Sequence, residues 1–290
     1  MRTQRPHSQR PHSQRPHSQR SDSQRSQRPG RHELGQNFLV DPAAIELVID
    51  TVVGLASRSD APLIEIGAGD GALTLPLQRL GRPLTGVEID GRCAARLARR
   101  TGPATRIVHG DFLDFHVPAT PHVLVGNLPF HQTTAMLRRI LRAPGWTEAV
   151  LLVQWEVARR RAGVGGATMM TAQWWPWFEF RLVSRVPASA FRPRPGVDGG
   201  LMTMARRSRP LVPVRDRRPY QDFVHRVFTG RGHGLDRILA TAAPDIPRRE
   251  VRHWLRQNRI APTALPRALG DHEWAELFGL RGRSARRAGQ

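Results

Sequence analysis

The stretch Leu63-Ile-Glu-Ile-Gly-Ala-Gly-Asp-Gly71 runs from apolar β-formers, with an acid near their end, into a turn holding glycines at 67, 69 and 71. Ala72-Leu-Thr-Leu-Pro-Leu-Gln-Arg-Leu80 then reads as the first turns of a helix. Strand, glycine turn and helix open a nucleotide-type α/β domain, because glycine reaches positive φ and lets the backbone approach a ligand closely. The spacing is GxGxG, not the GxGxxG of dinucleotide-binding turns, so this stretch needs a partner before it decides anything. Pro83-Leu-Thr-Gly-Val-Glu-Ile-Asp90 is that partner. It reads as a second strand closing on Glu88, about 20 residues beyond the first glycine, where such domains set an acid on the ribose hydroxyls.

Outward from this pair the rhythm continues. Upstream, Asp41-Pro42 is an N-cap followed by proline at the first helical position, and Ile45, Val48, Ile49 and Val52 share one face. Downstream come a helix from Gly91 to Arg100, a strand at 106–109 ending in Gly110-Asp111-Phe112, and a strand at 121–125 running into Gly126-Asn-Leu-Pro-Phe130. A helix over 133–141 turns Leu137, Ile140 and Leu141 inward, and Ala149-Val-Leu-Leu-Val153 is apolar throughout, as a strand buried on both faces should be. The alternation predicts a Rossmann-like α/β fold with a mostly parallel sheet. Glu179–Val186 and Gly200–Met204 add two strands as an antiparallel edge, with the proline-rich Phe191-Arg-Pro-Arg-Pro-Gly-Val-Asp198 irregular between them. Beyond a linker at 206–219, apolar residues at Tyr220, Phe223, Val224, Val227 and Phe228 begin a series of amphipathic helices. The expected organisation is a basic repeat tail at 1–31, an α/β domain at 32–207 and a small all-helical domain at 208–290.

Composition narrows the partners. The 290 residues carry 45 basic side chains, all arginine, against 24 acids, for a net charge of +21. That excess points to a polyanion, nucleic acid before membrane, and arginine both forks onto phosphate and stacks on bases. The five-residue repeat Gln4-Arg-Pro-His-Ser recurs at 9 and 14 and degenerates later; with eight arginines in residues 1–31 and nothing to bury, it reads as a disordered arm or a dispensable tail. The arginines of the helical region, such as Arg248, Arg249, Arg252 and Arg256, are either a solvated face or an RNA contact. No window approaches the roughly 18 apolar residues of a membrane span, and no secretory signal is expected. A single cysteine, Cys93, excludes a disulfide framework and fits a reducing cytoplasm; on its apparent helix it reads as a small semi-buried hydrophobe.

Asn127-Leu-Pro-Phe130, at the carboxyl end of a strand, is either merely a strand-ending turn or, beside the glycine turn and Glu88, a site suited to methylation of an exocyclic amine. Such a nitrogen delocalises its lone pair into the purine ring. Two acceptors aimed at its hydrogens, the Asn127 side-chain oxygen and the Leu128 carbonyl, would favour a pyramidal nitrogen with the lone pair free. The Phe130 ring offers a face for a flipped base, worth ~1–3 kcal/mol. Asp111 could accept from an adenine amino group or only cap a turn, and Gln36-Asn37 could close over a cofactor or be an ordinary polar entry. Glu65 can brace the glycine turn through its amides; His131 opens a helix and is expected to cap it or face solvent. No metal-ligand spacing and no Ser–His–Asp arrangement is present.

Taken together, Gln36-Asn-Phe-Leu39, Glu65-Ile-Gly-Ala-Gly-Asp-Gly71, Glu88-Ile-Asp90, Gly110-Asp111 and Asn127-Leu-Pro-Phe130 resemble the ribosomal RNA adenine N6-methyltransferases over about residues 32–290. Gly126-Asn-Leu-Pro-Phe-His-Gln-Thr-Thr134, Gln154-Trp-Glu-Val-Ala-Arg159 and Phe191-Arg-Pro-Arg-Pro-Gly-Val-Asp198 are similar to the macrolide-resistance (Erm-type) branch. Leu128 stands where that branch usually has isoleucine, and Phe130 where tyrosine is commoner. The resemblance implies catalysis by Asn127, Leu128 and Phe130, and S-adenosylmethionine held by Asn37, Leu39, Gly67, Gly69, Glu88, Asp111 and Asn127. It implies a monomer acting on one adenine in the peptidyl-transferase region (domain V) of 23S rRNA, conferring resistance to macrolides, lincosamides and streptogramin B. The alternatives are a small-subunit (16S) rRNA dimethylase and a non-catalytic RNA-binding or transcription factor of the same fold. The motifs are common to mono- and dimethylating enzymes.

Overall fold

The computed structural model describes residues 36–56 and 60–288, with side chains described to residue 281. The repeat tail at 1–31 lies outside the described residues. In chain order the elements are β1 (Phe38–Leu39), α1 (Pro42–Ala56), β2 (Leu63–Ile66), α2 (Thr74–Leu77), β3 (Leu84–Glu88), α3 (Gly91–Ala98), β4 (Thr105–His109), β5 (His122–Asn127), α4 (Thr133–Arg142), β6 (Trp146–Gln154) and α5 (Trp155–Arg161). There follow α6 (Met169–Trp174), β7 (Phe178–Val186), β8 (Phe191–Arg192), β9 (Gly199–Arg206), α7 (Arg217–Thr229), α8 (Leu235–Ala242), α9 (Arg248–Gln257) and α10 (Asp271–Ala288).

Seven strands make one sheet in the order β4-β3-β2-β5-β6-β9-β7, and β1 pairs with β8 in a separate two-stranded sheet. The pairs from β4 to β6 are parallel. The expected antiparallel character enters through β9, which is antiparallel to both β6 and β7 and so is inserted between them. The strand order reverses at β2, with β3 on one side and β5 on the other. The carboxyl ends of β2 and β5 therefore flank a crevice at the switch point, where open α/β sheets bind ligands.

The period-2 alternation of strand side chains sends residues to two faces. Val123, Val125, Val150 and Leu152 pack with Val48 and Val52 of α1, while Leu124, Ala149, Leu151 and Val153 pack with Leu137, Ile140 and Leu141 of α4. The second cluster runs on without interruption into Tyr220, Phe223, Val227, Leu239, Trp254 and Trp274 of the carboxyl-terminal helices. Arginines help close this seam: Arg206 lies 5.0 Å over both Trp146 and Phe178, and Arg217 lies 5.5 and 5.0 Å over Trp174 and Trp177.

The helix expected from residue 72 is one four-residue turn continued by a 3-10 turn, Gln78–Leu80, which ends at Gly81 in the left-handed region. The α3 helix opens on Asp90, whose carboxylate accepts from the N–H groups of Arg92 and Cys93, and Cys93 is fully buried where the sequence suggested partial burial. Among the described residues no helix is long and apolar enough to cross a membrane.

Candidate methyl-transfer site

The glycine turn after β2 is held by the strand beside it. Gly67, Gly69 and Gly71 have φ of 73°, 53° and 91°. The N–H groups of Gly67 and Ala68 donate to the Val87 carbonyl at 2.9 and 3.2 Å. The next residue, Glu88, is 1% exposed. Its Oε2 accepts from the Gly69 N–H at 2.7 Å, and its Oε1 accepts from the Asp90 N–H at 2.8 Å and from Gln36 Nε2 at 3.3 Å. The turn is thus braced by Glu88 and not, as the sequence suggested, by Glu65. Glu65 reaches Thr74 at the start of α2 instead, accepting from its hydroxyl at 2.5 Å. Burial pushes the Glu65 carboxyl up to about 8, with the Glu88 charge adding to the shift and the Thr74 hydrogen bonds opposing it. Near neutrality Glu65 is therefore mainly protonated.

The second turn is the end of β5. A Cβ at Gly126 would lie 2.7 Å from the Ile66 carbonyl oxygen, so glycine alone lets this strand end sit against β2. The Cβ position of Gly67 is 3.7 Å from the Asn127 carbonyl oxygen, which makes the two turns direct neighbours. Asn127 Nδ2 donates to the Asn37 carbonyl at 2.7 Å. This bond fixes the amide plane and turns Oδ1, the acceptor end, the opposite way. The Leu128 side chain is buried and its N–H donates to the Leu152 carbonyl at 2.9 Å. The Thr133 hydroxyl lies 3.0 and 3.2 Å from the carbonyl oxygens of Pro129 and Phe130 and tightens the turn. Phe130 is half-buried and meets Phe191 edge-on, with ring centroids 5.8 Å apart.

Residues 36–39 cross over this crevice. Phe38 pairs with Arg192 and Leu39 with Phe191, which draws together two motifs far apart in the chain. The Phe38 ring comes within 3.1 Å of the Cβ position of Gly69. Leu39 is 3% exposed with its side chain in the core, so only its backbone can face a ligand. Asp111 caps a turn, accepting from the Leu113 N–H at 2.8 Å, and the preceding Gly110 N–H donates to the Glu88 carbonyl at 2.9 Å. His131 is exposed.

The structure therefore gathers Asn37, Gly67, Gly69, Glu88 and Asn127 by direct contacts, and Asp111 through Gly110. Sequence reasoning gave no role to Phe38 and Phe191 as single residues. Each sits in a motif quoted above, but their pairing through two-residue strands leaves no local signal. One atom speaks for a hydroxyl-bearing ligand: Gln36 Oε1, beside the Glu88 carboxylate, is buried with no hydrogen-bond partner among the described residues.

Comparisons with known proteins show the family. The family described as ribosomal RNA adenine dimethylase matches residues 28–273. An rRNA adenine N-6-methyltransferase of Corynebacterium diphtheriae is 56% identical over 211 residues, covering 72% of this chain and 82% of that protein. The mycinamicin-resistance protein MyrB of Micromonospora griseorubida is 49% identical over 251 residues, covering 87% and 79%. The crystal structure of the 23S rRNA methyltransferase ErmE superposes with a TM-score of 0.77 at 32% identity, covering 85% of this chain and 100% of that one. This chain belongs to the ribosomal RNA adenine dimethylase family and is an adenine-N6 methyltransferase.

Proposed function

We propose that this chain transfers methyl groups from S-adenosylmethionine to N6 of one adenine in the peptidyl-transferase region of 23S rRNA, conferring resistance to macrolides, lincosamides and streptogramin B. The observation that carries the chemistry is the Asn127 amide, held through Nδ2 by the Asn37 carbonyl at 2.7 Å. That bond takes one Nδ2 hydrogen and sets the orientation of the amide, which leaves Oδ1 as the acceptor for an incoming amine. Asn127 Oδ1 and the Leu128 carbonyl would take the two N6 hydrogens, and the Phe130 ring would stack on the flipped base.

The cofactor, when bound, supplies a methyl group on a sulfonium centre that leaves as a neutral thioether. The residues proposed to hold it are Gly67 and Gly69 at the turn, Glu88 and Asp111 at the strand ends, Asn37 and Asn127, and the Leu39 backbone. The buried, partnerless Gln36 Oε1 and the Glu88 carboxylate suit a ribose diol: Glu88 accepts three N–H bonds and has about four lone-pair sites. Positioning does the rest, since no strong base is needed to free a methylated ammonium of its proton.

The choice of 23S rRNA is supported by the similarity to MyrB, named for mycinamicin resistance, and to ErmE, a 23S rRNA methyltransferase. The net charge of +21 suits an RNA partner. We further propose that the helices of 208–290 add to RNA binding, that the target lies in domain V, and that the chain acts as a cytoplasmic monomer. The test is incubation of purified protein with labelled S-adenosylmethionine and naked 23S rRNA, followed by primer extension. A single stop at one domain V adenine, with macrolide resistance in a susceptible bacterium expressing the chain, is expected. Methylation confined to the small-subunit RNA would overturn the 23S assignment.

A further inference from the structure

Away from the methyl-transfer crevice, three glycines form a loop between α5 and α6. Gly163, Gly165 and Gly166 all have positive φ, at 76°, 83° and 106°. Each lies under one large planar group or its stem. A Cβ at Gly163 would sit 2.8 Å from the Trp175 ring, one at Gly165 would sit 3.4 Å from the Arg159 guanidinium, and one at Gly166 would meet the Arg267 backbone and side-chain stem at 3.1–3.5 Å. With Leu269 and Gly270 of the helical region these glycines, Trp175 and Arg267 line one open cavity at the seam between the sheet and the carboxyl-terminal helices. The seam is closed by the Ala167 N–H, which donates to the Arg267 carbonyl at 2.8 Å.

The loop is not built to cradle a phosphate. The N–H groups of Gly163, Val164, Gly166 and Ala167 are spent on the carbonyls of Arg160, Arg159, Gly163 and Arg267. The loop instead packs directly against the half-buried Trp175 ring, and that indole and the exposed Arg267 line the open cavity beside it. Arg159 is paired with Glu156, whereas Arg267 is exposed and makes no ion pair among the described residues. An indole with an arginine beside it on the wall of an open cavity is the chemistry that stacks on nucleobases. The cavity is also near the chemistry. The α5 helix starts where β6 ends, beside Asn127, and its seven residues span only about 10 Å before the loop begins.

We propose that this seam cavity is a second nucleobase subsite, in which one unpaired base of the RNA substrate stacks on Trp175 beside Arg267. It rests on the reading of the chain as an rRNA methyltransferase. It adds to that reading a contact that holds the RNA by a base outside the methylated adenine.

The test compares Trp175→Leu, Trp175→Phe and Arg267→Gln in the full chain, measuring methyl transfer against RNA concentration and direct binding to both 23S and 16S rRNA. Trp175→Leu should raise KM for RNA about tenfold with kcat within about twofold, and Trp175→Phe should stay near the parent. Arg267→Gln should raise KM a few-fold. A second readout substitutes 5-iodouridine in the RNA and maps the photocrosslinked peptide; a crosslink at Trp175 is expected. Equal KM for the Leu and Phe variants, a loss confined to kcat, or crosslinks only elsewhere would overturn the subsite. Because binding is read on both RNAs, a chain that modifies 16S rRNA would refute the 23S assignment and still report on Trp175.

Discussion

Replacing Glu65 by glutamine probes the one buried acid at the glycine turn that the chemistry does not use. Glu65 is 2% exposed and its carboxyl titrates near 8, against an ordinary value of 4.5. A folded-state value raised above the unfolded one means that the native state holds the proton longer. Its stabilising effect is complete below pH 4.5 and is lost as pH rises through about 8. At 1.36 kcal/mol per unit, the span from 4.5 to about 8 corresponds to roughly 4–5 kcal/mol as an upper bound. The substituted amide would stay neutral throughout and could still accept from the Thr74 hydroxyl. The assay is thermal unfolding of parent and variant from pH 5 to pH 9. The Glu65→Gln chain should match the parent near pH 5 and exceed it at pH 9 by on the order of 10 °C, at about 2–4 °C per kcal/mol. Parallel curves across that range would show that Glu65 is ionised in the native protein and that the assignment of protons at the turn is wrong.

Asn127→Asp places a carboxylate oxygen 2.7 Å from the Asn37 carbonyl where a donor now sits, so methyl transfer should fall at least tenfold while RNA binding changes little; near-parent turnover would refute the anchoring bond. Phe130→Leu should lower kcat/KM about tenfold and Phe130→Trp only slightly if stacking is the contribution, whereas equal losses would assign the ring to packing against Phe191. Glu88→Gln turns one acceptor of the Gly69 and Asp90 N–H groups into a donor, and calorimetry should show S-adenosylmethionine bound at least tenfold more weakly; unchanged affinity would remove Glu88 from the site.

Much of this was readable in the chain because the signals were local. The strand–turn–helix at 63–80, the acid at 88 and the turn at 127–130 each declare themselves within a few residues. So does the inward face of α4, where Leu137, Ile140 and Leu141 are buried as the 3.6-residue period requires. What escaped depended on distant partners. The β1–β8 pairing joins two strands of two residues each, too short to show any alternation. The position of β9 between β6 and β7 is a matter of register that local pattern cannot express. The α5 helix buries only Ala158 and carries three successive arginines, so no apolar face marks it. The division of labour between two acids was equally hidden: Glu65 lies next to the last residue of β2 and Glu88 ends β3, and only the three-dimensional arrangement sends one to Thr74 and the other to Gly69.

The pairing of Phe38 with Arg192 has a consequence for the order in which a growing chain becomes competent. By the time Asn127 is made, the glycine turn and Glu88 already exist. The segment that carries the Asn37 carbonyl still lacks its partner strand. Roughly 60 residues separate Phe130 from Phe191, which at about 5–20 residues per second is on the order of three to twelve seconds of synthesis. A nascent chain paused before Phe191 therefore holds every residue assigned to the reaction, yet has no β8 to dock residues 38–39 over the crevice. Translation itself thereby sets a delay between making the catalytic turn and completing the enclosure around it.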